Sequence, residues 1–144
     1  MPKKRIPALQ QTPFETLTTV FPSAARVVDV TIGLIARLGM PAARARTVIA
    51  LARAVAEGDL ILTPHTDLDA TLDRLRRLPG VGEWTTQYIA MRALAWPDAF
   101  PHTDLGVMKA LKEKDARRVL EAGEAWRPWR SYAVMHLWHS LIKE

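Results

Sequence analysis

The chain has 144 residues, 49% of them apolar and 24% charged, which suits one compact domain with a real core. It has no cysteine, which excludes a disulfide framework, a thiolate zinc site and a cysteine-held iron–sulfur cluster. The net charge of +5 and pI near 10.0 favour a polyanionic partner, and the basic excess is shared between both halves instead of forming a tail.

No apolar run reaches the roughly 18 residues a membrane helix needs, and MPKKRIPALQQ has no apolar stretch behind its basic residues. Neither a membrane span nor a secretory signal is therefore expected. Residues 1–20 are weakly patterned, and Pro2, Pro7 and Pro13 predict an extended lead-in. SAARVVDV and TIGLIARLG predict two short helices with Ser23 and Thr31 as N-caps. Pro41 then opens a longer helix, PAARARTVIALARAVAEG. Val48, Ile49, Leu51, Ala52 and Val55 form its apolar stripe, and Gly58 sits at its left-handed cap. ILTP is the one strand-like fragment. DLDATLDRLRRL carries Leu68, Leu72, Leu75 and Leu78 along a helical face, and EWTTQYIAMRALAW predicts a helix that runs to Pro97. DLGVMKAL, DARRVLEAGEAW and WRSYAVMHLWHSLI predict three more. The expected class is all-α, a compact helical bundle containing a helix-hairpin-helix motif.

Between two of these helices stands LPGVGEWTTQY. Pro79 stops the first helix, and Gly80 and Gly82 permit unusual backbone angles and remove side-chain bulk. The amides of Gly80, Val81 and Gly82 can then face outward at the positive end of the next helix, with Thr85 in its first turn. That is an anion site made of backbone, suited to a phosphodiester and blind to base identity. Carbonyls on the other side of the turn could hold a structural monovalent cation. For PGVG taken on its own, a plain interhelical turn is the better account, because glycine at helix ends is common for capping alone.

Taken in order, LPGVGEWTTQYIAMRAL, DAFPHTDLGVMKAL and WRPWRSYAVMHLWH resemble the helix-hairpin-helix superfamily of DNA glycosylases, most of all the bacterial alkyl-purine (3-methyladenine) glycosylases II. FPSAARVVDVTIGLIARLGMPAARARTVIALARAVAEGDL fits the same pattern, so the resemblance covers about residues 20–142 and implies one glycosylase-like domain over 21–144. It implies hydrolysis of the N-glycosidic bond of alkylated purines in duplex DNA after base flipping, in base-excision repair in the bacterial cytoplasm at the nucleoid.

The resemblance puts the catalytic carboxylate on Asp104, a residue equally well placed to cap DLGVMKAL; one Asp can do both. It puts Trp84, Tyr88 and Trp138 in the base pocket, where electron-rich rings would favour a cationic base, although any one of them could simply be core. Relatives with lyase activity carry a lysine where this chain has Trp84, which implies a monofunctional enzyme that leaves an abasic site. No cofactor is required and no metal ligands are expected; His136 and His139 lack a third partner in sequence. Lys109, Arg127 and Arg130 are candidate phosphate contacts or solvated surface charges. Trp126, Trp129 and Tyr132 read as core and interhelix packing.

Family members carry further helices before the matching region, including the apolar wedge that fills the gap left by a flipped base. A homo-oligomer or a second chain is expected to complete the pocket if the chain is active. The alternative is a non-catalytic helix-hairpin-helix DNA-binding module. The two readings part on geometry: catalysis requires Asp104 beside the Trp84 and Tyr88 face.

Overall fold

The computed structural model describes residues 22–142, so the lead-in expected over 1–20 lies outside the described residues. Among these residues the chain forms eight α-helices: α1 (Ala24–Val28), α2 (Ile32–Ala36), α3 (Ala42–Ala56), α4 (Leu68–Arg77), α5 (Glu83–Arg92), α6 (Leu105–Leu111), α7 (Ala116–Gly123) and α8 (Arg130–Ser140). A 3-10 turn, Glu124–Trp126, lies between α7 and α8. The all-α expectation holds. ILTP is irregular, and no strand occurs among the described residues.

The chain divides into two compact units. One takes the described residues up to Ile61 together with Arg77–Gly80; the other takes Leu62–Arg76 and the residues from Val81 onward.

In the first unit α1 and α2 pack against α3. Thr31 caps α2 by accepting the Leu34 amide at 3.3 Å, whereas the Ser23 side chain makes no capping bond to α1. Ala45 and Ala52 are the buried residues of α3, and the remaining stripe residues are half-buried. Gly58 adopts φ +80° just beyond α3, and the chain reverses so that the Leu60 amide reaches the Ala54 carbonyl at 3.0 Å. That reversal buries Leu60, which joins Ile35, Ala45 and Ala52 in the core of this unit.

The second unit is built around Phe100, Val107, Val119 and Val134, with Met91, Met108, Leu111, Trp126, Leu137 and Trp138 packed against them. Its sequence reading needs one change of boundary. Helix α5 ends at Arg92 and not near Pro97, because the Ala93 and Leu94 amides both turn back to the Ile89 carbonyl and Ala95 takes φ +53°. This early stop frees residues 96–104 to run as a loop into α6.

That loop is tied down at several points. Ser131 donates its hydroxyl to the Trp96 and Ala99 carbonyls at 2.7 and 3.0 Å, and its amide to the Pro97 carbonyl at 2.9 Å. Gln87, buried on α5, accepts the Phe100 amide at 3.0 Å. Asp98 accepts two bonds from Arg130, at 2.7 and 2.8 Å, and a third from Arg127. Arg130 and Arg127 are therefore not free phosphate contacts. The Arg130 side chain is only 6% exposed, and both guanidinium groups are committed to Asp98 and Glu124.

Two aromatic assignments also change. Trp126 does pack edge-on to Phe100, with ring centroids 5.9 Å apart. Trp129 and Tyr132, expected in the core, are 58% and 59% exposed and lean on each other at 5.7 Å. They stand on the outer face of α8, away from Val134, so the helical period that buries one face leaves them outside.

Candidate active site

The hairpin joins α4 to α5, and its two glycines have different causes. Gly80 has φ +79°, and a Cβ there would land on the Thr47 hydroxyl of α3. The fold requires glycine at that position. Gly82, the N-cap of α5, has φ −95°, which any residue adopts, and a Cβ there would meet nothing within 4 Å. The backbone angles and packing do not require glycine at 82, where an N-cap preference and an open outer side remain.

Around Gly82 several backbone amides lack a backbone acceptor. Val81 is buried and anchors the turn. The first α5 amide with a backbone acceptor is that of Thr86, which reaches the Gly82 carbonyl at 3.0 Å; among the described residues the Val81, Gly82, Glu83, Trp84 and Thr85 amides have none. Glu83 would oppose an anion at this helix end, but it is committed elsewhere. Arg76 donates to both its oxygens at 3.0 and 3.3 Å, and Gln87 donates at 2.8 Å. The Arg76 hydrogen bond is the main reason the Glu83 carboxyl is held below the usual carboxylate range. Thr85 is half-buried in the first turn, and Lys109 is exposed on α6.

Asp104 is the N-cap of α6, and its Oδ1 accepts the Val107 amide at 2.9 Å. The capping reading was thus correct, but it is incomplete. Oδ1 also accepts the Trp138 indole N–H at 2.8 Å, and Oδ2 accepts the Trp84 indole N–H at 2.8 Å. Partial burial works against the charge. The Trp138 and Trp84 N–H groups and the Val107 and Gly106 amides outweigh it, and the net effect lowers the carboxyl below its ordinary range. Asp104 is therefore an anion at neutral pH, with a fixed orientation and one oxygen, Oδ2, that still has an open acceptor direction. It cannot serve as a general acid. It can stabilise a cation or orient a water.

The aromatic residues gather at this carboxylate. Trp84 and Tyr88 stack at 5.1 Å with planes 18° apart, and Tyr88 meets Trp138 at 6.2 Å. No base fits between Trp84 and Tyr88, since a third ring in the stack would need them about twice as far apart as offset-stacked rings lie. A base would have to lie on an outer face, and Trp84 is 40% exposed. All four residues singled out for chemistry, Asp104, Trp84, Tyr88 and Trp138, thus converge in the second unit.

The sequence reading missed Gly106 and Gln87. Gly106 sits inside the first turn of α6, where a Cβ would come within 3.0 Å of both Asp104 Oδ1 and Trp138 Cδ1. A glycine inside a helix, costing roughly 1 kcal/mol against alanine, was the available signal. Gln87 sits one turn after Glu83 and carries the loop, a role that no local pattern announces.

No family model matches the chain. Its sequence is 44% identical over 129 residues to a probable bifunctional transcriptional activator/DNA repair enzyme AlkA of Mycobacterium tuberculosis, covering 87% of this chain and 25% of that protein. It is 33% identical over 120 residues to DNA-3-methyladenine glycosylase 2 of Escherichia coli, covering 83% of this chain and 43% of that protein. This chain is similar to a segment of the DNA-3-methyladenine glycosylases. The DNA-3-methyladenine glycosylase of Bacillus subtilis is a further relative, 31% identical over 134 residues, 85% of this chain and 43% of that protein. The chain thus spans between a quarter and less than half of the length of these curated relatives. The glycosylase fold is matched as well. The Schizosaccharomyces pombe 3-methyladenine DNA glycosylase Mag1, solved with abasic DNA, superposes with a TM-score of 0.71 at 20% identity, over 91% of this chain and 74% of that one. A DNA-3-methyladenine glycosidase from Bacillus halodurans gives a TM-score of 0.68 at 20% identity, over 92% of this chain and 70% of that one.

Proposed function

We propose that this chain carries the base-excision chemistry of an alkyl-purine DNA glycosylase, with Asp104 as the catalytic group. What supports the reading most is the ionised Asp104 carboxylate, held by two indoles at the edge of a Trp84–Tyr88–Trp138 cluster. An N-alkylated purine is already cationic, so its bond to C1′ breaks with the electron pair leaving on the base, and no acid is needed. Positive charge then develops on the sugar, where the open side of Asp104 Oδ2 stabilises it and orients the water that attacks C1′. The proton from that water passes to solvent, and the product is the free base and an abasic site. The exposed face of Trp84 would receive the base, and cation–π attraction of about 0.5–2 kcal/mol would favour an alkylated purine over a neutral one. No lysine amine stands at position 84, so the strand remains uncut.

In this reading the Gly82 end of α5 grips the phosphodiester of double-stranded DNA. The Gly82 carbonyl already accepts the Thr86 amide and hydroxyl, both at 3.0 Å, so a monovalent cation at the hairpin would draw on other carbonyls. A second chain or a homo-oligomer would supply what flipping needs beyond these residues. Among the described residues no helix is long and apolar enough to cross a membrane, and the proposed place of action is the bacterial cytoplasm at the nucleoid.

Base release from methylated duplex DNA tests the enzymatic reading; binding without release favours a non-catalytic DNA-binding module. The hairpin has its own test. Gly82→Ala is expected to cost less than about 1 kcal/mol of stability, since only the N-cap preference is lost. It should nevertheless weaken duplex binding for all sequences alike. Gly80→Ala is expected to cost about 2 kcal/mol or more, from the left-handed backbone and the collision with Thr47. Urea melts and salt-matched binding titrations of both variants check this. Unchanged binding by Gly82→Ala removes the hairpin from the mechanism.

A further inference from the structure

Trp84 and Trp138 entered as ring faces against which a base would lie. Their N–H groups suggest a different task. Each indole nitrogen lies 2.8 Å from a different oxygen of Asp104, Trp84 on Oδ2 and Trp138 on Oδ1. The donors come from opposite ends of the unit's sequence, one from α5 after the hairpin and one from near the end of α8. With the Val107 amide also on Oδ1, the carboxylate cannot rotate without breaking a charge-assisted bond.

Room for this arrangement is made at Gly106. The Trp138 indole crosses the first turn of α6 so closely that a Cβ at 106 would sit 3.0 Å from its Cδ1, 3.1 Å from its Nε1 and 3.0 Å from Asp104 Oδ1. Real Cβ contacts are rarely so short, so a side chain at 106 requires the indole or the carboxylate to give by a few tenths of an ångström, enough to disturb the bond between them. Tyr88 completes the support by stacking on Trp84 and tilting against Trp138.

We infer that Trp84 and Trp138 are positioning residues that act on the reaction through their indole N–H groups, fixing the Asp104 carboxylate so that one direction of Oδ2 faces the sugar, and that Gly106 is the third part of this clamp. The inference rests on the catalytic reading of Asp104. It assigns the tryptophans a role that phenylalanine, which keeps a ring for stacking, cannot fill.

The test uses Trp84→Phe, Trp138→Phe and Gly106→Ala in the full chain, with three measurements. The first is single-turnover release from a duplex containing one 7-methylguanine. The second is the dissociation constant for the same duplex, and the third is the indole N–H resonances with and without Asp104→Asn. In the expected result each Phe variant binds DNA within a few-fold of the unaltered chain but releases base about tenfold or more slowly, the size of a lost hydrogen bond to a charged group. Gly106→Ala shifts the Trp138 N–H resonance toward its position in Asp104→Asn and slows release likewise. An active chain whose Phe variants keep the full rate overturns the clamp while leaving the glycosylase reading intact. Indole resonances that ignore Asp104→Asn overturn it on structural grounds. An unaltered chain that binds methylated duplex and releases nothing overturns the glycosylase reading, and the clamp falls with it as a device of catalysis.

Discussion

If the proposed reading holds, Asp104→Asn is expected to lower base release by about a hundredfold or more while leaving the fold and DNA binding in place. The magnitude is that of removing one preorganised electrostatic group from a transition state. The fold survives because asparagine is as good an N-cap as aspartate, so α6 still starts where it does. The amide oxygen can take over the Val107 and Trp138 donors that now serve Oδ1. The amide nitrogen, however, faces the Trp84 N–H, donor against donor, and the negative charge is gone. Single-turnover release, a binding titration and a thermal melt on the same preparation separate these effects. A variant that releases base at the original rate would exclude Asp104 from the chemistry. The pH profile gives a companion result. Because the folded carboxyl lies below its ordinary range, the stability Asp104 contributes is fully present above the unfolded value and is lost as pH falls through the folded one. Release should therefore show no acid limb near pH 5 assignable to Asp104; such a limb, removed by Asp104→Asn, would contradict the lowered value.

The largest expected effect on stability lies away from the reacting atoms. Asp98→Ala should destabilise the protein by about 3–5 kcal/mol, because it leaves the buried Arg130 guanidinium without its two best acceptors. Glu124, at 3.3 Å and half-exposed, is a poor substitute. Against a total of roughly 5–15 kcal/mol, this is enough to unfold a sizeable fraction of molecules at 37 °C. The double variant Asp98→Ala, Arg130→Met should recover part of the loss, since it removes the orphaned charge and keeps the apolar stem. Urea denaturation of the two single variants and the double closes the cycle. A double variant no more stable than Asp98→Ala would mean that the network matters for holding the loop and not for neutralising Arg130.

Helices were legible in the sequence because their apolar period is written locally, and so was the convergence of Asp104 with three aromatics, though only through the resemblance. What could not be read is what depends on partners far along the chain. WRPWRSY shows the limit: tryptophan and tyrosine suggested burial, and arginine suggested surface. The structure reverses this for three of them: an acidic residue 32 positions earlier holds Arg130 inside, and Trp129 and Tyr132 lie exposed at the start of α8, while Trp126 packs on Phe100 and Arg127 stays half-exposed. The stop of α5 at Arg92 is similar. Its cause is Ala95 in a left-handed conformation, a state that nothing about alanine foretells. Gly80 and Gly82 looked alike in sequence, and only the presence of Thr47 beside one of them tells them apart.

The loop that delivers Asp104 is gripped at the Trp96, Pro97 and Ala99 carbonyls and the Phe100 amide, by Ser131 and Gln87. Those four handles are peptide atoms: every amino acid supplies the three carbonyls, and every one but proline the amide, in the same place. Mutation can therefore rewrite His102 and Thr103, which carry none of these bonds, without unseating the carboxylate two residues on. The carboxylate is held by the backbone of its loop, so relatives are expected to vary more freely at those two positions than at Asp104.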